Sequence, residues 1–184
     1  MKTRVRTVAI GLGAALLVGV ACGEGRAIFN VDVLSFIGGQ GRDSVNYVFP
    51  GGASGTVDNP PVKVTLLKGL GNSTVDSVSL DVAAQVHNLT DSGKVKFQIF
   101  FSGTEAGTYT GTPYAQDSAV VHGDTVATLA PGPIPVLADS IFGKDTIFVG
   151  VRVAVAARPG PSMTGWVKLS RVILRIVLQD QIFH

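Results

Sequence analysis

The stretch VSLDVAAQVHNLTDSGKVKFQIFFS, residues 78–102, alternates apolar and polar side chains twice, with a break in the middle. The apolar positions of its two halves are Val78, Leu80, Val82, Ala84 and Val86, then Val95, Phe97, Ile99 and Phe101. A period of two residues is typical of a β-strand with one buried and one solvated face. The break, residues 88–93, is rich in turn-forming residues, so the stretch predicts two strands joined as an antiparallel hairpin.

The same alternation recurs in two longer runs near the C-terminus. In residues 145–157, every second residue from 147 to 155 is aliphatic and is predicted to face the core: Ile147, Val149, Val151, Val153 and Val155. Residues 166–179 change phase midway, and their uninterrupted apolar face is Val172, Leu174, Ile176 and Leu178. Because Leu169 falls on the other face, we expect either its partial exposure or a β-bulge near Ser170 that restores the register.

Weaker patterns complete the set of predicted elements. Strands are predicted over 28–36, 44–49, 62–67 and 117–129, the last interrupted near Gly123, and loops over 38–43 and 50–61. No stretch after the N-terminal signal segment repeats its apolar residues with the 3.6-residue period of a helix, so no helix is predicted.

Residues 130–135 contain Pro131, Pro133 and Pro135, which cannot donate to a central ladder, so we expect an extended crossover there. Short strands separated by Gly- and Pro-rich turns predict an all-β fold. We expect a two-sheet antiparallel β-sandwich of the Greek-key or immunoglobulin-like type, with a small β-barrel as the alternative. Residues 28–184 would form it as a single domain.

The N-terminus has the pattern of an export signal. Lys2, Arg4 and Arg6 form a basic head, and residues 7–21 follow without any charge. A basic head, a short apolar stretch and small residues before a cleavage point are typical of a signal peptide. The stretch is shorter than the roughly 20 residues that a spanning helix needs. Residues 1–21 are therefore predicted to be a cleaved signal peptide.

The end of this segment, Gly19-Val20-Ala21-Cys22, resembles the lipobox of bacterial lipoprotein precursors, although Gly19 stands where such boxes usually carry Leu. The resemblance implies that Cys22, the only cysteine, becomes the mature N-terminus and carries diacylglycerol and an acyl chain such as palmitate. Residues 22–27 would then be a lipidated cysteine and short tether. Gly23 lacks the Asp that retains such proteins at the inner membrane, which favours the outer membrane or cell surface. The alternative is an ordinary export signal that leaves an incidental thiol.

Composition limits the classes of partner. The full chain of 184 residues has a formal charge of +2, but removing the three basic residues of the signal leaves 15 − 3 = 12 basic residues against 13 acidic ones. A chain so close to neutral gives no reason to expect nucleic-acid binding. Only 15% of the residues are charged, which is low for a globular protein.

The histidines do not form a recognisable catalytic or metal-binding pattern. His87 lies on the polar face of a predicted strand, His122 lies in a turn, and His184 is the last residue. The chain has no Gly-x-Ser-x-Gly motif, and His122 with Asp124 would make only half of a metal site. We therefore predict no catalytic residues, no metal and no cofactor, and expect that the protein is not an enzyme.

Aromatic residues are the candidates for ligand binding. Tyr109 and Tyr114 accompany a loop rich in Thr and Gly, residues 103–113, and Trp166 is the only tryptophan. Because Trp166 begins a predicted core strand, packing explains it better than recognition, so the tyrosine loop is the preferred recognition surface.

Together these features predict a lipid-anchored cell-envelope protein with a structural or protein-interaction role. Its expected partners are the membrane, through the anchor, and another envelope protein. Two alternatives stay open: a glycan- or small-ligand-binding lipoprotein, for which Tyr109, Tyr114 and Trp166 are the candidate site, and a hydrolase. The first predicts a concave pocket that reaches one of these aromatic residues, and the second a histidine beside a Ser or carboxylate in a cleft.

Overall fold

A computed structural model of the chain describes residues 25–66, 74–136 and 140–180. The signal segment, Cys22 and His184 lie outside these residues. The strands are β1 (Gly25–Asp32), β2 (Ser44–Phe49), β3 (Ser54–Asp58), β4 (Val62–Thr65), β5 (Thr74–Thr90), β6 (Ser92–Ser102), β7 (Ala115–His122), β8 (Thr125–Val136), β9 (Thr146–Ala157) and β10 (Met163–Asp180). The helices are α1 (Val33–Gly38) and a 3-10 helix (Ser140–Gly143).

The strands form two antiparallel sheets that pack face to face. In sheet A, β1 and β2 both pair with β10, and β5 and then β8 follow on its other side. In sheet B, β3 and β4 both pair with β9, and β6 and then β7 follow. This confirms the antiparallel β-sandwich, and the described strands form two open sheets and do not close into a barrel. When β1–β2 and β3–β4 are each counted as one interrupted strand, the order is that of a jelly roll, which contains two Greek keys.

The predicted hairpin over residues 78–102 is wrong in its pairing, although both of its strands exist. β5 belongs to sheet A and β6 to sheet B, so the connection between them crosses from one sheet to the other. Asp91, the residue between them, has a φ of 56°. The apolar faces of the two strands therefore lie opposite each other across the core instead of side by side. Among the described strands, the one consecutive pair that hydrogen-bonds to each other is β6 and β7, joined by residues 103–114.

The core faces that the alternation predicted are all buried. Every inward position named above in residues 78–86, 95–101, 147–155 and 172–178 belongs to one shared hydrophobic cluster. Leu169 is buried too, at 2% exposure, because the pairing of β10 with β5 shifts between Leu169 and Arg171. Of the two alternatives, partial exposure of Leu169 or a β-bulge near Ser170, the bulge is therefore confirmed.

The strand predicted over 28–36 ends earlier than expected, at Asp32, and α1 follows it. The side chain of Asp32 accepts a hydrogen bond from the amide of Ser35 at 3.3 Å, as an N-cap residue does. Val33 and Ile37, four residues apart, are the buried side of this single turn and a half. A helix this short does not produce a visible period in the sequence.

Two predicted connections contain strand instead. The loop predicted over 50–61 includes β3, whose alternating burial is shallow because it lies on the edge of sheet B. The crossover predicted over 130–135 is the second half of β8.

The prolines of β8 are compatible with a strand because β8 is an edge strand that pairs only with β5 among the described residues. Pro133 and Pro135 pair with Asp81 and Ser79, whereas Pro131 lies at the register shift beside Gly132, whose φ is 81°. Antiparallel pairing needs N–H donors and proline has none, so the amides of Gly132 and Ile134 must face β5. The nitrogens of Pro133 and Pro135 therefore point to the free edge, where no ladder hydrogen bond is lost.

The sandwich has two distinct ends. At one of them, called the N-terminal end here, β1 and β5 begin and β8 and β10 end. Loop 103–114 and the 3-10 helix lie at the same end, since Phe142 packs against Phe101 and Tyr114. The opposite end, called the arch end, carries the turns at Asp91 and Gly123, which hydrogen-bond to each other.

Candidate functional site

Loop 103–114 is ordered by its own threonines. The amide of Thr104 donates to Ser102 Oγ at 3.2 Å, and the Oγ1 of Thr104 accepts from the amide of Gly107 at 3.3 Å. Thr108 is 1% exposed and donates from Oγ1 to the carbonyl of Glu105 at 2.8 Å. These local bonds replace ladder bonds, which is the usual role of hydroxyl side chains in turns.

Tyr109 fixes the loop onto the outer face of sheet B. Its hydroxyl lies within hydrogen-bonding distance of the carbonyls of Asn59 and Val151, the latter at 3.2 Å. The close approach depends on Gly150, because a Cβ there would lie 2.5 Å from Thr108 Cγ2 and 2.7 Å from the Tyr109 ring. Burial, with a smaller contribution from the Asp58 carboxylate, raises the pKa of Tyr109 to about 12.

Arg152 completes this contact. Its guanidinium lies 4.9 Å from the ring centroid of Tyr109 and 5.1 Å from that of Phe100, at cation–π distance. It also donates two hydrogen bonds to the Asp58 carboxylate, at 2.6 and 2.8 Å. The Tyr109 hydroxyl and the Arg152 charge are thus both occupied by partners within the protein.

The other side of the loop forms a pocket at the N-terminal end of the sandwich, with a volume of about 380 Å³. It lies between the loop and the last residues of β8, and its lining residues are Phe101, Gly107, Thr108, Thr110, Gly111, Thr112, Pro113, Tyr114, Pro135 and Val136. None of these lining residues carries a charge. Tyr114 is supported edge-to-face by Phe101 and Phe142, with ring centroids 5.4 and 5.6 Å away. The pocket therefore combines fixed aromatic rings with threonine hydroxyls and loop backbone.

Tyr109, Tyr114 and Trp166, the three candidate ligand-binding residues, lie at separate positions in the structure. Tyr114 lines the pocket, whereas Tyr109 faces sheet B from the same loop. Trp166 lies on the outer face of sheet A near the arch end, where its ring stacks on His87 at a centroid distance of 4.8 Å and an angle of 10°.

His87 and His122, which were considered as catalytic bases, do not lie together with a nucleophile and a carboxylate among the described residues. His122 Nδ1 lies 3.3 Å from Ser92 Oγ at an exposed position, and the His87 ring packs on Trp166. No carboxylate hydrogen bond to either ring occurs in the described part of the chain. Residues 25–66, 74–136 and 140–180 also contain no cluster of three metal-ligating side chains and no helix long and apolar enough to cross a membrane.

Sequence reasoning missed most of the pocket because its walls come from distant segments. Phe101 carries the pattern of a core residue, and Pro135 and Val136 lie in the segment predicted as a crossover. The signal that does identify one wall is the run GTYTGTPY, residues 107–114, whose Gly, Thr and Tyr content is unusual for a plain hairpin loop.

A buried polar network at the arch end was also not predicted. Asn88 is 1% exposed, and its amide nitrogen donates to the carbonyls of Thr90, Asp91 and Gly123 at 3.1, 2.9 and 2.6 Å. Its Oδ1 accepts from the hydroxyl of Tyr47 at 3.0 Å. One side chain thus ties the β5–β6 and β7–β8 turns to β2.

Comparison with known proteins gives no family. No protein-family model and no curated protein matches the chain. The structure of the infectious bursal disease virus Gx strain aligns with a TM-score of 0.41 and 11% identity, over 86% of this chain and 38% of the viral chain. The structure of the Gt strain of that virus aligns with a TM-score of 0.39 and 8% identity, over 84% of this chain and 36% of the viral chain. The structure of TmCBM61 in complex with beta-1,4-galactotriose aligns with a TM-score of 0.30 and 15% identity, over 83% of this chain and 88% of that chain. This chain thus spans less than two fifths of the viral chains, and none of these similarities identifies a ligand or partner for it.

Proposed function

We propose that the chain is the precursor of a lipid-anchored cell-envelope protein whose β-sandwich binds a small, uncharged, hydroxyl-rich ligand of the sugar class. The observation that carries the proposal is the pocket beneath loop 103–114. Its volume of about 380 Å³ falls within the range of about 300–1,000 Å³ that is usual for small-molecule sites.

The chemistry of the lining supports this ligand class. The rings of Phe101 and Tyr114 offer apolar surface to the C–H face of a sugar, and Thr112 and the loop backbone offer hydrogen-bonding groups to its hydroxyls. A charged ligand would lose its hydration without gaining an opposite charge, which is unfavourable. The pocket therefore favours a neutral polar ligand over an ion.

The anchor is supported by the sequence before the sandwich. A basic head, an uncharged apolar stretch and a single cysteine at the end of Gly19-Val20-Ala21-Cys22 are features of lipoprotein precursors, although Gly19 replaces the usual Leu. Two or more acyl chains hold a protein firmly, since each buried CH₂ contributes about 0.8 kcal/mol. Mass spectrometry of the mature N-terminus is expected to show acylated Cys22, and an unmodified start at any other residue would refute the anchor.

The pocket is tested with two aromatic substitutions. The wild-type sandwich is screened against a panel of neutral mono- and oligosaccharides, and the affinity of the best ligand is measured by calorimetry. Tyr114→Ala removes a ring from the pocket and is expected to weaken binding at least about tenfold, equivalent to 1.4 kcal/mol. Trp166→Ala, which removes a ring from the other candidate position, should leave the affinity unchanged.

Two results would contradict this assignment. Binding that is lost in Trp166→Ala and retained in Tyr114→Ala would move the site to sheet A. The absence of any neutral sugar ligand in the panel would refute the ligand class.

A protein-interaction role is the second candidate, favoured by exposed aliphatic side chains near the arch end of sheet A. Val48, Leu89 and Val126 are 70%, 47% and 57% exposed, and Val126 pairs with His87 beside the Trp166 ring. A partner at this surface should be lost in Val48→Glu/Val126→Glu, and retained in a control that places the same charges on sheet B, Ser54→Glu/Thr56→Glu. Equal binding by both variants would contradict this role.

A further inference from the structure

The strand directions place the pocket at the same end of the molecule as the start of the described chain. Gly25 pairs with Asp180, and Val136, which lines the pocket, pairs with Val78 near the start of β5. Both therefore lie at the N-terminal end, while the turn at Gly123 lies at the arch end. β8 has 12 residues, so its two ends are separated by about 36 Å at roughly 3.3 Å for each step.

The length of chain between Cys22 and β1 is short. Three residue steps separate Cys22 from Gly25, and even fully extended they span no more than about 11 Å. A lipid on Cys22 would therefore hold the N-terminal end of the sandwich close to the bilayer. β8 is three strand spacings from β1 in sheet A, which is about 14 Å across the sheet.

We infer that the pocket faces the membrane that carries the anchor, and that its ligand is the neutral sugar headgroup of a membrane glycolipid. This inference rests on the proposed function. A free sugar offers the same hydroxyl chemistry, but a headgroup in the bilayer meets an anchored pocket at a high effective concentration. A pocket at the arch end would instead be presented to soluble ligands.

The orientation is tested on the lipidated, full-length mature protein in vesicles. Its only cysteine carries the lipid, so Thr112→Cys or Asp124→Cys adds the single free thiol for a fluorophore. Thr112 lies at the pocket and Asp124 at the arch end. The vesicles contain phosphatidylethanolamine and phosphatidylglycerol, with or without a lipid that carries a quencher in its headgroup.

We expect quenching of the label at position 112 and none at position 124. Equal quenching at both positions, or quenching at position 124 alone, would overturn the orientation whatever the ligand.

The source of the ligand is tested on the unlabelled protein. Amide hydrogen exchange of residues 107–114 is followed in vesicles that contain glucosyl or galactosyl diacylglycerol, and in plain vesicles with methyl glucoside or methyl galactoside. Residues 119–124 provide the internal control. The lipid-borne sugar is expected to slow exchange at a concentration at least about tenfold lower than the free sugar.

The possible failures are distinguishable. Equal potency of the lipid-borne and free sugars would overturn this inference and leave the proposed sugar pocket intact. If neither form slows exchange while the label at position 112 is quenched, the ligand class of both proposals is wrong and the orientation holds.

Discussion

The most direct test of the fold concerns Asn88, whose side chain joins three segments at the arch end. Asn88→Ala removes the three hydrogen bonds that the amide donates to the Thr90, Asp91 and Gly123 carbonyls, and the one that it accepts from Tyr47. The carbonyl of Asp91 keeps a partner in the amide of Gly123, at 2.7 Å. The Tyr47 hydroxyl would be left without a hydrogen-bond partner, because Tyr47 is only 1% exposed and water does not reach it.

The expected loss follows from which groups stay unpaired. A buried group without a partner costs about 1–3 kcal/mol, and a hydrogen bond replaced by one to water costs about 1 kcal/mol or less. Counting the Tyr47 hydroxyl as unpaired and the carbonyls as partly hydrated gives a loss of about 2–4 kcal/mol. In a sandwich of this size, that lowers the melting temperature by about 5–15 °C.

Urea unfolding of the domain, followed by tryptophan fluorescence, measures this loss. Leu89→Ala is the matched control, because Leu89 is the neighbouring residue and is 47% exposed; its effect should stay within about 0.5 kcal/mol. Combining Asn88→Ala with Tyr47→Phe should give a coupling energy of about 1 kcal/mol. A loss from Asn88→Ala no larger than that of the control, or a coupling energy of zero, would refute the reasoning.

Three further predictions concern close packing and ionisation. Gly165→Ala would place a methyl group 2.2 Å from the His87 carbonyl and 2.4 Å from the Tyr47 hydroxyl, and should cost about 2–3 kcal/mol in urea unfolding; Gly111→Ala, with open space around it, should be nearly neutral. Burial raises the pKa of Tyr47 from 10 to about 12, so the folded state favours the protonated form. The corresponding stability is complete below pH 10 and is lost as the pH rises to 12, by up to about 3 kcal/mol. If the stability difference between wild type and Tyr47→Phe stays constant over that interval, this prediction fails. Gly150→Ala should push Tyr109 off sheet B and speed amide exchange in residues 104–112; unchanged exchange there would show that the loop does not depend on this contact.

The sequence predicts the faces of the strands well and their partners poorly. Alternation depends only on which side chains are buried, and every inward position that it predicts in β5, β6, β9 and β10 lies in the core. Pairing depends on the turn. The stretch after Asn88 is compatible either with a hairpin or with a crossing between sheets, since both bury the same positions. The crossing is fixed by the Asn88 side chain and the φ of Asp91, and neither is visible as a pattern.

The site shows the same limit. The loop that carries Tyr114 is recognisable from its Gly and Thr content, but Val136 and Phe101 reach it through the packing of different strands. Tyr109 and Tyr114, five residues apart, are equivalent in the sequence. The space that Gly150 leaves, together with the carbonyls of Asn59 and Val151, holds the Tyr109 ring on sheet B, while the Tyr114 ring faces the pocket.

Pro133 and Pro135 of β8 affect how copies of the protein meet one another. An unprotected edge strand presents N–H groups to which another chain can add a strand. At Pro133 and Pro135 the outward-facing positions of β8 lack that donor. If Cys22 carries the proposed lipid, copies of the protein diffuse in two dimensions and collide often and in similar orientations. Along this half of β8 such copies could not join by adding a strand, so crowding would not link them at this part of the edge.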